Sequence, residues 1–310
     1  MRKTQVKVAQ SVCEESIPNY DEVVRRVSEC PVIASLKKIN DSLMAITATN
    51  DGTVNEIAEV ISRDMSLTSR LLRQVNSVFT GLSVRVTSLE EAIFYLGLRQ
   101  IRRLAITTRV VDEMEEFGDR GEAIDWPSFW AHSIGCGIIA REIMIMAKGS
   151  TDDDIYYICG LLHNIGKLVM YNVFPDELIQ TSEREFASKI DLINYQRENF
   201  GWDYTRIGGL YLEINNMPSI MVETVLFQAE PRLAKDFKRL SAGIELAETI
   251  ARFSGCCGPF EKFHPVEENS WEALQGWEVL FGTNDREHHF ARASIANCIE
   301  QFPVLLKGLI

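Results

Sequence analysis

Features that mark whole classes of protein are missing from this sequence of 310 residues. A membrane-spanning helix needs about 20 consecutive apolar residues, whereas the longest apolar stretch, residues 134–146, is interrupted by Arg141 and Glu142. The basic first residues are not followed by the apolar segment of a secretory signal. We therefore expect a cytoplasmic protein that makes no membrane contact.

Cysteine motifs and familiar catalytic loops are missing as well. The seven cysteines are an odd number at scattered positions, and none stands in a Cys-x-x-Cys motif. A zinc site built from cysteines is therefore not expected, and the thiols should be reduced. The sequence also contains neither a glycine-rich phosphate loop nor the Gly-x-Ser-x-Gly turn of serine hydrolases.

Positive charge is in deficit, since 32 lysines and arginines stand against 44 acidic residues, for a net charge of −12. A surface that contacts a phosphate backbone needs clustered basic residues. The densest basic run, residues 99–103, has the spacing of a solvated helix face. Nucleic acid is therefore not expected as a main partner.

Helical periodicity extends over most of the sequence, and convincing strand alternation is lacking. Thr53 with Glu56, and Ser88 with Glu91, have the spacing of capping boxes, and Gly97 is placed to end the second helix in a left-handed conformation. The pattern predicts an all-α fold. Helices are predicted, among others, over residues 20–29, 32–47, 98–116, 129–147, 155–174, 188–200, 205–215, 219–229, 236–253, 271–281 and 285–306.

One stretch, residues 155–174, combines an apolar run with the polar residues His163, Asn164 and Lys167. Its apolar residues recur at steps of three and four, which predicts one buried helix that contains His163. A buried imidazole must replace the hydration that it loses. His163 should therefore have either a hydrogen-bond partner or a metal ion.

The order His163, Asn164, Ile165, Gly166, Lys167 resembles the His-Asp-Ile-Gly-Lys signature of the HD superfamily of metal-dependent phosphohydrolases. In that superfamily the histidine and the aspartate hold divalent metal, the metal activates a water, and the lysine reaches a substrate phosphate. Here asparagine replaces the aspartate. Its amide offers a metal only a neutral oxygen and cannot bridge two cations, so the resemblance implies the fold while the substitution argues against catalysis.

Several segments of the first third are similar to a more specific family. Together with the HD-like half they resemble the HDOD domain, the HD-related output domain of bacterial signalling proteins, over about residues 18–252. The resemblance implies an HD-like helical core over residues 119–254. An N-terminal helical bundle, residues 1–118, would pack with it, and residues 255–310 would form a C-terminal linker and helical extension. The similar segments are residues 57–64, 66–77, 81–83, 88–93 and 96–98.

The same resemblance implies a set of candidate metal ligands. His132 matches the first ligand, 31 positions before His163 (163 − 132), and Glu248 matches a late carboxylate. The candidate ligands are therefore His132, His163, Asn164 and Glu248, and Lys167 is the one candidate for a catalytic role, as the residue that would contact a phosphate.

Other positions of the family pattern are altered. Tyr204 stands where histidine is common, Gln228 and Ala229 replace a pair of histidines, and Glu245 replaces a late histidine. Two imidazoles and one carboxylate of the expected ligand shell survive.

Three interpretations of His132 and His163 stay open. The two rings can bond to each other, or to Asn164 or Glu248, without metal. They can instead hold a single structural ion with Glu248, or that ion can hydrolyse a phosphoester. In the non-catalytic cases Lys167 is expected to be a solvated cation on a helix flank.

The function implied by the resemblance is that of a signal-transduction output or scaffolding module, non-catalytic or weakly metal-binding. The alternative is a metal-dependent phosphohydrolase that acts on a nucleotide or a phosphorylated small molecule. No cofactor is expected, or at most one divalent metal ion, and the expected partner is another signalling protein.

Overall fold

A computed structural model describes residues 20–30, 72, 76, 86–97, 125–147 and 153–307. Helices dominate these ranges, and the predicted all-α fold is confirmed. The helices, in chain order, are α1 (Tyr20–Glu29), α2 (Leu89–Leu96), α3 (Trp126–Met146), α4 (Asp153–Leu162), α5 (Ile165–Val173), α6 (Pro175–Ser182), α7 (Lys189–Phe200), α8 (Tyr204–Ile214), α9 (Ser219–Leu226), α10 (Lys238–Phe253), α11 (Gln275–Phe281) and α12 (Asp285–Lys307).

Short irregular elements connect these helices. Strands β1 (Glu185–Phe186) and β2 (Lys262–Phe263) form a parallel pair, and short 3-10 helices cover Pro231–Leu233 and Ser270–Ala273. The single helix predicted over residues 271–281 is therefore wrong in its first part, where the 3-10 helix ends before α11 begins. In the described part of the chain, no helix has both the length and the apolar character to cross a bilayer.

Local sequence explains where several helices begin. The Ser88 side chain accepts from the Glu91 amide at 3.1 Å, and the Glu91 carboxylate accepts from the Thr87 amide at 3.1 Å, close to the predicted capping box. Ser188 caps α7 in the same way. Gly97 does have a positive φ of 76°, but its ψ of 154° lies outside the left-handed helical region that was predicted.

Much of the predicted N-terminal bundle lies outside the described residues. This applies to the helices predicted over residues 32–47 and 98–116 and to the capping box of Thr53 and Glu56. The helix predicted over residues 20–29 is confirmed as α1, whose Val23 and Val27 are buried. These valines join the same apolar core as the later helices.

The core is built around α3, which contacts α4, α10 and α12. Its apolar residues extend from Val23 of α1 to Phe302 of α12, so the last helices share the interior of the HD-like part. Helices α3 and α4 approach closely, since a Cβ atom on Gly160 would lie 2.5 Å from the Cα atom of Gly137. This approach brings together the parts of the chain that carry His132 and His163.

The single helix predicted over residues 155–174 is wrong, because the chain turns at His163 and Asn164 between α4 and α5. After the turn, α5 crosses α8 with Gly166 at the contact. A Cβ atom on Gly166 would lie 1.8 Å from the carbonyl oxygen of Tyr204. Every residue from 156 to 170 is buried, so the apolar pattern continues through the turn and hides the break from pattern analysis.

The crossing of α5 and α8 leads to a prediction. Replacing Gly166 with alanine should lower the free energy of unfolding by about 3 kcal/mol, because the methyl group meets rigid backbone. The matched control is Gly209→Ala on α8, where the added Cβ atom would approach Leu226 without overlap, with the Leu226 Cβ atom at 3.1 Å and its Cα atom at 3.6 Å. Urea denaturation should show a large loss for the first variant, and equal stability of the two variants would contradict the close approach.

Candidate functional site

Two imidazoles form the centre of the candidate site. His132 on α3 and His163 in the turn before α5 are both fully buried. Their Nε2 atoms are 3.2 Å apart. The structure therefore brings together the two histidines that the sequence pairs across 31 positions.

The opposite nitrogens of the two rings determine their protonation. His132 Nδ1 lies 2.8 Å from the Cys256 carbonyl oxygen, and His163 Nδ1 lies 2.6 Å from the Gly160 carbonyl oxygen. Carbonyl oxygens only accept, so each Nδ1 must carry a proton and donate. In two neutral rings both Nε2 atoms are then acceptors, and their lone pairs face each other unless a proton or another cation lies between them.

Burial opposes a proton at that position. Desolvation lowers the pKa of His132 despite the opposing field of Glu248. It also lowers the pKa of His163 well below its usual value, and the neighbouring His132 adds to this effect. A direct hydrogen bond between the rings requires one imidazolium, so this pair alone does not satisfy its own polar atoms at neutral pH.

The other two candidate ligands are also buried, and each has an oxygen without a partner. Asn164 is 1% exposed, and its Oδ1 atom accepts no hydrogen bond within the described structure. Glu248 on α10 lies with Oε1 3.1 Å from Arg252 Nε, while its Oε2 atom is unpartnered. Burial would raise the pKa of Glu248, but the charge of Arg252, followed by those of Lys189 and His132, outweighs it and holds the pKa at about 2.

Lys167 is not the solvated cation expected in the non-catalytic interpretations. It is 4% exposed, forms an ion pair with the buried Glu261, and lies 4.7 Å from the centre of the Tyr204 ring. Glu261 comes from the segment before β2, 94 positions away. The lysine charge is therefore already neutralised inside the protein and reaches no external phosphate in this conformation.

A second buried lysine lies beside the histidine pair. Lys189 Nζ donates to Gln228 Oε1 at 2.8 Å, and Gln228 Nε2 donates to the His163 carbonyl oxygen at 2.7 Å. At a position where the family pattern has a histidine, Gln228 thus provides a hydrogen-bonded amide. Tyr204, at another such position, is buried with its hydroxyl group unpartnered, and burial raises its pKa well above the usual value.

The residues present do not fit a charged two-ion metal centre. Among the described residues, no group of three or more His, Cys, Asp and Glu side chains is arranged to hold an ion. His132 and His163 can offer two nitrogens to a single cation, and the Nδ1–H bonds to carbonyls orient the rings as they do for metal-ligating histidines. A bridging carboxylate is missing because Asn164 is neutral.

Sequence analysis missed four residues of this interior: Lys189, Arg252, Cys256 and Glu261. Lys189 follows the N-cap Ser188, a position that is usually solvated, so no local pattern marks it as buried. Cys256 and Glu261 belong to a segment rich in glycine and proline, which predicts a linker. Their contacts are long-range and leave no periodic signal.

The fold and the paired histidines define an HD-like helical domain. The model of the HDOD domain matches residues 33–231, more than half of the chain. The protein therefore belongs to the HDOD family, as its sequence segments imply.

Solved structures support this fold. A candidate phosphohydrolase from Shewanella amazonensis SB2B aligns with a TM-score of 0.65 at 24% identity, over 93% of this chain and 98% of that one. An HDOD domain protein of unknown function from Geobacter sulfurreducens aligns with a TM-score of 0.66 at 20% identity, over 96% and 94% of the two chains. At such identities the likeness shows the fold alone.

A curated relative from Treponema pallidum (strain Nichols), described as uncharacterized, is 26% identical over 218 residues. The alignment covers 68% of this chain, but this chain spans only 40% of the relative. The relative therefore carries additional sequence that has no counterpart in the alignment.

Glu245 on α10 leads to a prediction about pH. Burial raises the pKa of its carboxyl group to about 7, although the Gly276 amide donates to Oε2. The folded state therefore binds more protons than the unfolded state between about pH 4.5 and pH 7, and this group makes the protein less stable as pH rises through that window. Glu245→Gln removes the charge and keeps an acceptor.

The stability difference between Glu245→Gln and the wild type should be near zero at pH 4.5. It should grow to at most about 3 kcal/mol in favour of the variant at pH 8. Chemical denaturation across this range is the measurement, with Glu267→Gln on an exposed residue as the control. A Glu245→Gln variant that is less stable than the wild type at pH 8 would contradict the assignment.

Proposed function

We propose that this HDOD protein is a signal-transduction output or scaffolding module of the cytoplasm that acts by binding and not by hydrolysis. Its partner is another signalling protein, and neither membrane nor nucleic acid is a main partner. The observation that carries the proposal is the contact of Lys189, Gln228 and His163. A cationic lysine and a hydrogen-bonded amide occupy the surroundings where a hydrolytic centre needs anionic ligands.

The electrostatics of the site support a non-catalytic role. A two-ion centre needs carboxylates that neutralise the ions and position a water. Here Glu248 is paired with Arg252, and Glu261 is paired with Lys167. Each carboxylate is therefore bound to a side-chain cation, and Asn164 contributes no charge.

The second candidate function is a metal-dependent phosphohydrolase. It is favoured by one observation, the Nε2 atoms of His132 and His163 that face each other as acceptors. A single divalent ion there would satisfy both lone pairs. When bound, such an ion would act as a Lewis acid and lower the pKa of a bound water.

Hydrolysis can be tested directly. Protein purified without an affinity tag, supplied with manganese, zinc or iron(II), should not cleave a panel of phosphomonoesters, phosphodiesters and nucleotides above background. The matched control is the double variant His132→Ala, His163→Ala, which lacks both imidazoles. Turnover by the wild type that the double variant loses would overturn the proposal and establish the phosphohydrolase.

Asn164 provides a second test. Asn164→Asp should raise the affinity for a divalent metal by about tenfold or more, equivalent to 1.4 kcal/mol, because an anionic oxygen joins His132 and His163 at nearly the same volume. It should not create efficient hydrolysis, since Tyr204 and Gln228 still withhold further ligands. Without metal the buried carboxyl group should have a raised pKa and destabilise the protein at neutral pH.

Calorimetric titration of wild type and Asn164→Asp with manganese and zinc measures this difference. Wild-type binding as tight as that of the variant would mean that Asn164 does not weaken the site. In that case the phosphohydrolase interpretation gains support.

A further inference from the structure

A cavity of about 520 Å³ lies at the start of α7. Its volume is in the range of small-molecule sites, about 300–1,000 Å³. We call it the α7 pocket. Its walls come from the first residues of α7, from α10 and from the segment after β2, and they include Ser188, Lys189, Glu245, Arg252 and His264.

Lys189 is a buried cation without a counter-charge in direct contact. It is 7% exposed, and its Nζ atom donates one hydrogen bond, to the neutral amide oxygen of Gln228 at 2.8 Å. An ammonium group has three donors. Within the described structure no carboxylate lies at ion-pair distance from it, and burial lowers the pKa of Lys189.

The nearby carboxylates are paired with other cations and do not neutralise Lys189. Glu261 is paired with Lys167, and Glu248 is paired with Arg252. A buried unpaired cation is costly, and an anionic group beside it removes that cost. Two carboxyl groups line the pocket itself: Glu267, which is exposed to solvent, and Glu245, whose pKa burial raises to about 7, so that much of it is uncharged at neutral pH.

The backbone at this end of the pocket also favours an anion. The first amides of a helix have no intrahelical acceptor, and their dipoles point towards a bound negative group. Ser188 satisfies the amide of Asp191 at 3.2 Å. The amides of Lys189 and Ile190, both pocket-lining residues, precede it in the first turn of this 12-residue helix.

We propose that the α7 pocket binds a small molecule through an anionic group, a phosphate or a carboxylate, held by Lys189 and the first turn of α7. This inference rests on the proposed function, because it names the ligand of a module that acts by binding. The pocket is coupled to the candidate site through Gln228, which bonds to both Lys189 and the His163 carbonyl oxygen. A ligand that draws Lys189 away from Gln228 would alter the hydrogen bond that Gln228 donates to the turn at His163.

Inorganic phosphate and succinate are the probes for this proposal. Calorimetry on the full chain should show saturable binding of at least one of them, with one site per chain. Lys189→Gln, which can still donate to Gln228, should weaken that binding about tenfold or more, as expected for a lost bond to a charged group. Lys189→Arg keeps the charge and should bind within about threefold of the wild type, and Lys235→Gln, on an exposed lysine outside the pocket, should bind like the wild type.

Binding of phosphate alone would identify a phosphorylated ligand, and binding of succinate alone would identify a carboxylate. Lys189→Met serves as a second uncharged variant if Lys189→Gln is unstable in thermal melting. The proposal is overturned if neither probe binds the wild type saturably, or if both uncharged variants bind as tightly as the wild type. Phosphoester turnover would contradict the proposed function but would not bear on anion binding by the α7 pocket. Failure of the proposed function and failure of the anion-binding proposal are therefore distinguishable.

Discussion

The interior of this protein depends on the mutual neutralisation of charges that the fold has removed from water. The ion pair of Lys167 and Glu261 is the clearest case, since both side chains are almost fully buried. Removing either partner would leave an unpaired charge in a medium of low dielectric, which costs several kcal/mol. The pair also connects α5 to the segment before β2. The same contact therefore holds this segment over the histidine site and neutralises the charge of Lys167.

Side-chain cations lie beside the buried acceptor groups around the histidine pair. Arg252 lies beside Glu248, Lys167 beside Glu261, and Lys189 beside the amide of Gln228. A divalent ion entering this interior would meet two neutral imidazoles and carboxylates that are already paired. The described interior therefore offers an incoming ion few carboxylate oxygens that are free of a side-chain cation.

The segment from Cys256 to Phe263 shows how a loop can define a site. The Cys256 carbonyl oxygen fixes the His132 ring, Glu261 neutralises Lys167, and the Phe260 ring lies 6.0 Å from that of Phe129. Phe263 then receives the Arg252 guanidinium over its ring at 4.1 Å. A stretch without regular helix therefore supplies contacts to three helices, and the HD-like core and the C-terminal helices share one apolar interior.

The sequence alone determined the helical class and the helix start at Ser88, because periodicity and capping are local signals. The pairing of His132 with His163 was implied by the family resemblance. The sequence also implied the family, through segments that keep their order along the chain. Only the tertiary structure decided the turn at His163, since the residues on both sides of the turn are buried and the apolar pattern runs through it. It also decided the burial of Lys167 and Lys189, because a lysine on a helix is solvated by default. The partner of Lys167, Glu261, is 94 positions away in an irregular segment. Charge compensation across such distances depends on how the helices pack, and no local pattern records it.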